Sequence, residues 1–348
     1  MKNLTLVNIF RCFAATNLII LLLSCGSSEV EQLPTVANDS LPADIAAINQ
    51  KINSDRNNPD LYFQRAKANL QHRNFETAIS DMKIVLNIDS AKPDYYIFLS
   101  DLYFTQNKTR DTRDMLRKAI ALDTGSAQAL MKYSQLFYLL RKYDTATYYI
   151  NRSLHFDNIN AVAHFQKGMI LKEWGDTAKA ISSFQLAVEQ DQNYFDSYIQ
   201  LGVLLSLKKN PLALGYFDNA LRVNAKSPEA LYAKGKFLQD AGEYDGANKV
   251  YNSLLEISPG HVDATFNIAA VLFEQKKYDE AFKLFDGLIM RDENFYRGYY
   301  GRGRCYEAKG EKKKAIDDYK HCLALKPNYD LAVMQLDIIE KRVRKKIL

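Results

Sequence analysis

The chain has 348 residues, a length that by itself suggests roughly two domains. Its 15 Gly and 8 Pro are together about 7% of the residues against an average near 12%, too few for the many tight turns of a β-sandwich or barrel of this size. The 47% of apolar and 25% of charged residues exclude global disorder, and 46 Lys and Arg against 41 Asp and Glu is too even a balance for nucleic-acid binding driven by charge.

Residues 1–24 read as a signal peptide. Lys2 and Arg11 stand in an acid-free start, an apolar run follows from Cys12 to Leu23, and the small Ser24 precedes Cys25. A spanning helix needs about 20 apolar residues, and Arg11 and Asn17 break this stretch. Leu22-Leu23-Ser24-Cys25 resembles the lipobox of bacterial lipoproteins. That resemblance implies cleavage before Cys25, diacylglycerol on its thiol, and fatty-acyl chains such as palmitate; two or more chains anchor a protein stably. Gly26, in place of Asp, implies sorting to the outer membrane. Residues 25–42 then form a lipidated tether, polar, with Pro34 and Pro42 and no periodicity. Beyond residue 24 the chain keeps 44 basic and 41 acidic residues, and only Cys305 and Cys322 remain for the folded part. Two Cys are not a disulfide framework; an oxidising periplasm permits a bond between them without the sequence demanding one.

Residues 43–58 are predicted to hold an amphipathic capping helix. From there a period of 34 residues runs through the chain. One series of small residues is Ala66, Ser100, Ser134, Gly168, Gly202, Gly235, Ala269 and Gly303. A second is Ala78, Thr112, Ala146, Ala180, Ala213, Ala247, Ala281 and Ala315. Each has a single spacing of 33, attributed to a fifth repeat one residue short in its turn. Large residues follow the second series at a fixed offset of four: Met82, Leu116, Ile150, Phe184, Phe217, Tyr251, Phe285 and Tyr319. Small residues let two antiparallel helices approach, and the large ones fill the space beside them. No helix pair buries its face alone, so the units stack.

This pattern resembles the tetratricopeptide repeat (TPR), with small residues at positions 8 and 20 and aromatics near 11 and 24. Units begin near Pro59, Pro93, Ala127, Ala161, Tyr194, Pro228, Val262 and Tyr296 and cover 59–328. The usual Trp at position 4 is missing, and the second repeat, with Thr112 for Ala, is the weakest match. The expected fold is all-α: a right-handed superhelical solenoid of about eight TPR helix pairs with N- and C-terminal capping helices. The C-terminal cap, 329–348, should offer Leu331, Met334, Ile338 and Ile339 to the last repeat. Its basic end, KRVRKK (341–346), suits anionic headgroups, a glycan, or plain solvation at a helix terminus.

Position 7 is Arg only in Arg65 and Arg302, and position 23 is Asp only in those same units, Asp81 and Asp318. Ion pairs Arg65–Asp81 and Arg302–Asp318 are therefore expected across the two helix pairs. No metal-ligand spacing, P-loop, nucleophile elbow or dinucleotide fingerprint occurs, so no metal, cofactor or catalytic residue is assigned. The resemblance makes the first helices the lining of a concave groove. Its candidate partner-binding residues are Phe63, Phe104, Tyr138, Phe165, Ile199, Tyr232, Lys236, Phe266, Phe273, Tyr300 and Arg304; the aromatics among them equally suit packing between neighbours. The expected function is a membrane-anchored, non-enzymatic scaffold of the bacterial envelope. It faces the periplasm or cell surface and holds partner proteins in its groove, without nucleic acid. The alternative is a glycan- or peptidoglycan-binding envelope module.

Overall fold

The computed structural model describes residues 41–344, with side chains through Lys341. Eighteen α-helices follow one another with no strand among the described residues. Helix α1 (Ala43–Ser54) stands alone. Eight pairs of a first helix A and a second helix B follow: α2 (Pro59–Gln71) with α3 (Phe75–Ile88), α4 (Pro93–Thr105) with α5 (Thr109–Leu122), α6 (Ala127–Leu139) with α7 (Tyr143–Phe156), and α8 (Ala161–Trp174) with α9 (Thr177–Gln190). The last four are α10 (Phe195–Leu207) with α11 (Leu212–Val223), α12 (Pro228–Asp240) with α13 (Tyr244–Ile257), α14 (Val262–Glu274) with α15 (Tyr278–Arg291), and α16 (Tyr296–Ala308) with α17 (Lys312–Leu325). Helix α18 (Asp330–Arg344) closes the series. Each helix packs on its neighbours in the chain, so the stack is one continuous solenoid rather than two domains.

Burial explains the period. All eight large residues that follow the second small series are buried, from Met82 to Tyr319. They press on the small residues of the facing helix: a Cβ at Gly168 would stand 2.5 Å from the Phe184 ring, closer than any side chain tolerates. Each A–B turn is closed alike. One residue takes a left-handed conformation: Arg73, Asn107, Arg141, Gly175, Lys209, Gly242, Lys276 and Gly310. The next amide then reaches back five residues, as Asn74 N does to Asn69 O at 2.8 Å and Glu311 N to Tyr306 O at 2.9 Å.

Two expectations change. The residue missing from the fifth repeat is lost from helix α11, not from the turn. The α11 helix has 12 residues where the other B helices have 14, while four residues, 208–211, connect it to α10. The turn keeps its left-handed residue, so the deletion is absorbed at the helix start. The second change concerns α18: of the four residues expected at its contact, Ile339 is buried and Ile338 half-buried, but Leu331 and Met334 are exposed and Ala332 is buried in their stead. Ala332 extends a third small series, Ala129, Ala163, Ser197, Ala230, Ala264 and Gly298, all buried. The cap therefore docks as a ninth A helix, whose contact face is dictated by that small residue. No described helix is long and apolar enough to cross a membrane.

Candidate functional site

Adjacent A helices touch one another, as α6 does α8, and α10, α12, α14 and α16 do in succession, whereas no pair of B helices meets as closely. The stack therefore curves with its A helices inside, and their free faces form the lining. Position 5 of each A helix points partly into that lining, but its first task is spacing. Phe165 packs on Phe184 of its own B helix (5.5 Å between centroids) and on Tyr194 before the next repeat (5.2 Å). Phe266 does the same with Phe285 and Phe295, Phe63 with Tyr95, and Tyr232 with Tyr251 and His261.

Two expected groove residues are corrected by this packing. Ile199 is 3% exposed and Tyr300 8%. Tyr300 lies against Tyr319 and Tyr329, and Ile199 in the cluster with Tyr198 and Ala220. Both belong to the joints between repeats, because position 5 sits where a B helix and the next A helix converge. Phe63, Phe165, Tyr232 and Phe266 remain half-buried, showing an edge to the groove. At position 12 Phe104 is exposed, while Tyr138 leans on Tyr143 and Phe273 on Tyr278. Burial pushes the Tyr138 phenol up to about 12. Lys236 bonds Asp240, and Arg304 covers Phe273 at 4.0 Å and reaches Glu274 at 3.4 Å.

Between repeats 5 and 6 this lining opens into a cleft of about 620 Å³. Val203, Ser206 and Leu207 of α10 form one wall; Tyr232, Ala233, Lys236 and Phe237 of α12 form the other; Pro211, Leu214 and Phe217 make the floor. The deletion in α11 creates it. The other B helices begin three residues before their small residue, but α11 begins one before Ala213. In repeats 3 and 7 the equivalent space holds the pairs Tyr138–Tyr143 and Phe273–Tyr278; repeat 5 has Ser206 and Asn210 there. A mostly apolar hollow with a few polar groups is what a bulky side chain of a partner needs. Sequence reasoning saw the deletion but not its consequence; the short residues at positions 12 and 17 of the same repeat were the available signal.

The expected ion pairs lie at the two ends of the stack. Arg65 donates to Asp81 at 2.5 Å, and Arg302 to Asp318 at 2.7 Å. The hydrogen bond to Asp81 raises the Arg65 pKa above its ordinary value, and that to Asp318 does so for Arg302. Each arginine also reaches back to the preceding helix: Arg65 to Asn49 at 2.7 Å and Arg302 to Asp286 at 2.6 Å. These second partners were not foreseen. They turn each arginine into a clamp across three helices. Cys25 lies outside the described residues. Cys305 and Cys322 are buried free thiols, and burial raises them to about 12 and about 11. No three His, Cys, Asp or Glu converge as a metal-holding group among the described residues.

Tetratricopeptide-repeat family profiles match residues 161–194, 203–262, 238–297 and 296–329. The chain is a tetratricopeptide-repeat protein. Its fold is that of a solved fragment, the C-terminal part of a TPR repeat-containing protein from Cytophaga hutchinsonii: TM-score 0.58, 24% identity, 68% of this chain and 98% of that one. A TPR repeat-containing protein of Methanocaldococcus jannaschii is 26% identical over 198 residues, 52% of this chain and 35% of that protein. The type IV pilus assembly protein PilF of Pseudomonas aeruginosa is 23% identical over 203 residues, 56% of this chain and 64% of PilF. This chain thus spans less than two thirds of either curated relative. TPR arrays are in general non-catalytic scaffolds that bind partner proteins or peptides.

Proposed function

We propose that this TPR protein is a non-enzymatic scaffold of the bacterial cell envelope. Lipid at Cys25 anchors it, in an outer membrane by the Gly26 signal, and residues 26–42 tether the solenoid. The A-helix lining holds an extended or helical segment of a partner protein, and the cleft between repeats 5 and 6 takes one bulky apolar side chain of that segment. The cleft is the observation that carries the reading: the shortened start of α11 and the small Ser206 and Asn210 leave open a space that ring pairs fill in repeats 3 and 7. Likeness to a protein named for pilus assembly supports an assembly role. A glycan site needs open ring faces, and apart from Phe104 the groove rings are half-buried or buried against one another.

The test places a photo-crosslinking side chain at Val203 in intact cells. A defined protein adduct is expected, and Ser206→Trp, which fills the cleft, should abolish it. Adducts unchanged by Ser206→Trp would refute the cleft. For the anchor, Cys25→Ser should move the chain to the soluble fraction; continued membrane retention refutes lipidation as the tether.

A further inference from the structure

The A–B turns form one edge of the stack, and this edge changes character along its length. Gln106 donates to Glu76 at 2.8 Å between repeats 1 and 2, Gln275 to Asp245 at 2.8 Å between 6 and 7, and Lys309 to Asp279 between 7 and 8. Each bond joins position 14 of one repeat to position 18 of the repeat before. At the central junctions those positions hold Leu140 and Arg110, Trp174 and Asp144, Lys208 and Ala178, and Ala241 and Pro211. No such bond joins them among the described residues. Three consecutive repeats there expose apolar side chains instead: Leu139 and Leu140, then Trp174, then Leu207 and Leu212. Leu207 is 77% exposed and Trp174, the single Trp of the chain, 52%. An apolar row of this kind on a soluble face marks a contact surface.

Charge decides what the row meets. Arg141, Lys142, Lys208 and Lys209 stand exposed at the same turns without an acidic partner among the described residues. Of the nearby acids, Asp176 is held by Lys179 at 2.8 Å, Glu173 lies 4.0 Å from Lys172 and Asp240 is bonded by Lys236, which leaves Asp144 and Glu243 against the four cations. The opposite edge also exposes Phe156, Ile159 and Val162, but its loop, 157–160, carries Asp157 and no cation. Trp at a water–hydrocarbon boundary, Leu beneath it and Lys or Arg at anionic headgroups is the chemistry of a bilayer interface. Turn tips on adjacent repeats present that chemistry as protruding points, which suits a flat surface and not a groove.

We propose that the A–B turn edge of repeats 3–5 is a membrane-contact surface, which sets Trp174, Leu140 and Leu212 into an anionic headgroup layer and lays the solenoid along the bilayer. The inference rests on the anchor reading for its geometry. A 17-residue tether at 26–42 spans up to roughly 60 Å. Helices stacked about 10 Å apart put repeats 3–5 within that reach.

The test uses the full chain, purified and reconstituted with vesicles of phosphatidylcholine alone or mixed with phosphatidylglycerol, with bromine on the acyl chains. Flotation reports attachment, and Trp174 fluorescence reports the edge. On the anionic vesicles Trp174 emission should shift to the blue and be quenched, more than on phosphatidylcholine. Lys208→Glu with Lys209→Glu should still float but lower the quenched fraction roughly tenfold. A chain that floats with Trp174 unquenched overturns the membrane edge and leaves the anchor standing. Quenching that survives in Cys25→Ser supports the edge as a contact that works without the anchor. A Trp174 shift with lipid-free cell extract and none with vesicles assigns the row to a protein partner and overturns the proposal.

Discussion

The end repeats and the central repeats of this solenoid are fastened at different places. At the ends, arginine clamps and polar bonds between turns fasten one repeat to the next: Arg65 with Asp81 and Asn49, Arg302 with Asp318 and Asp286, Gln106 with Glu76, and Lys309 with Asp279. In the middle, Gly168, Gly202 and Gly235 let the helices close on Phe184, Phe217 and Tyr251, and the polar bonds between repeats run from the helices and not from the A–B turns, as Lys172 to Gln200 at 2.9 Å and Lys234 to Asp218 at 2.6 Å do. A terminal repeat has a full repeat on one side and a single capping helix on the other, so apolar burial alone holds it less firmly. A central repeat has a full repeat on both sides. That security leaves its turn edge and its inner face free for other contacts, and the cleft and the apolar row are both found there.

The comparison can be broken at several points. The largest effect should come from the centre: Phe217→Ala, which empties the contact with Gly202, is expected to cost about 4 kcal/mol in urea unfolding. Asp81→Ala leaves Arg65 half-buried and unpaired and should cost about 3 kcal/mol. Hydrogen exchange should place that loss in α1–α3 alone; uniform loss along the chain would contradict independent fastening of the ends. The buried thiols give the last repeat a pH signature. Their folded pKa values are raised from 9.0 to about 12 and about 11, so their contribution is intact below pH 9 and disappears as the pH rises through those values. Alkaline titration followed by hydrogen exchange should open α16 and α17 before the centre. Cys305→Ala with Cys322→Ala should remove the difference. Lys209→Gly relieves a left-handed residue at the central turn and should raise stability by about 1 kcal/mol. The smallest effect is expected from Gln275→Leu, which gives an end junction the central chemistry: about 0.5 kcal/mol by thermal unfolding, since the bond to Asp245 is exposed.

Much of the architecture was legible because repetition is its own control. A small residue recurring eight times at 34-residue spacing can only be a packing position, and the aromatic opposite it follows. The arginine clamps were legible for the opposite reason: Arg65 and Asp81 break the pattern together. The groove was less legible. Ile199 and Tyr300 share position 5 with Phe165 and Phe266, and the sequence does not say which side chain the next repeat will cover. On α18 the expected Ile339 is buried, but Leu331 and Met334 are not, because the first turn docks through the small Ala332.

The opening scarcity of Gly and Pro reported only a helical protein. The period then determined, from residues alone, the number of helix pairs, their order and the residues at their joints, because each pair meets the same neighbours and repeats the same answer. What stacking decided was everything that depends on a particular neighbour. It decided that the missing residue would shorten α11 and open a cleft, that position 5 would be covered in some repeats and not in others, and that the polar bonds between turns would lapse at the central junctions. Local pattern sets the local helix pair; exposure and voids are properties of two repeats in contact, and no single repeat contains them.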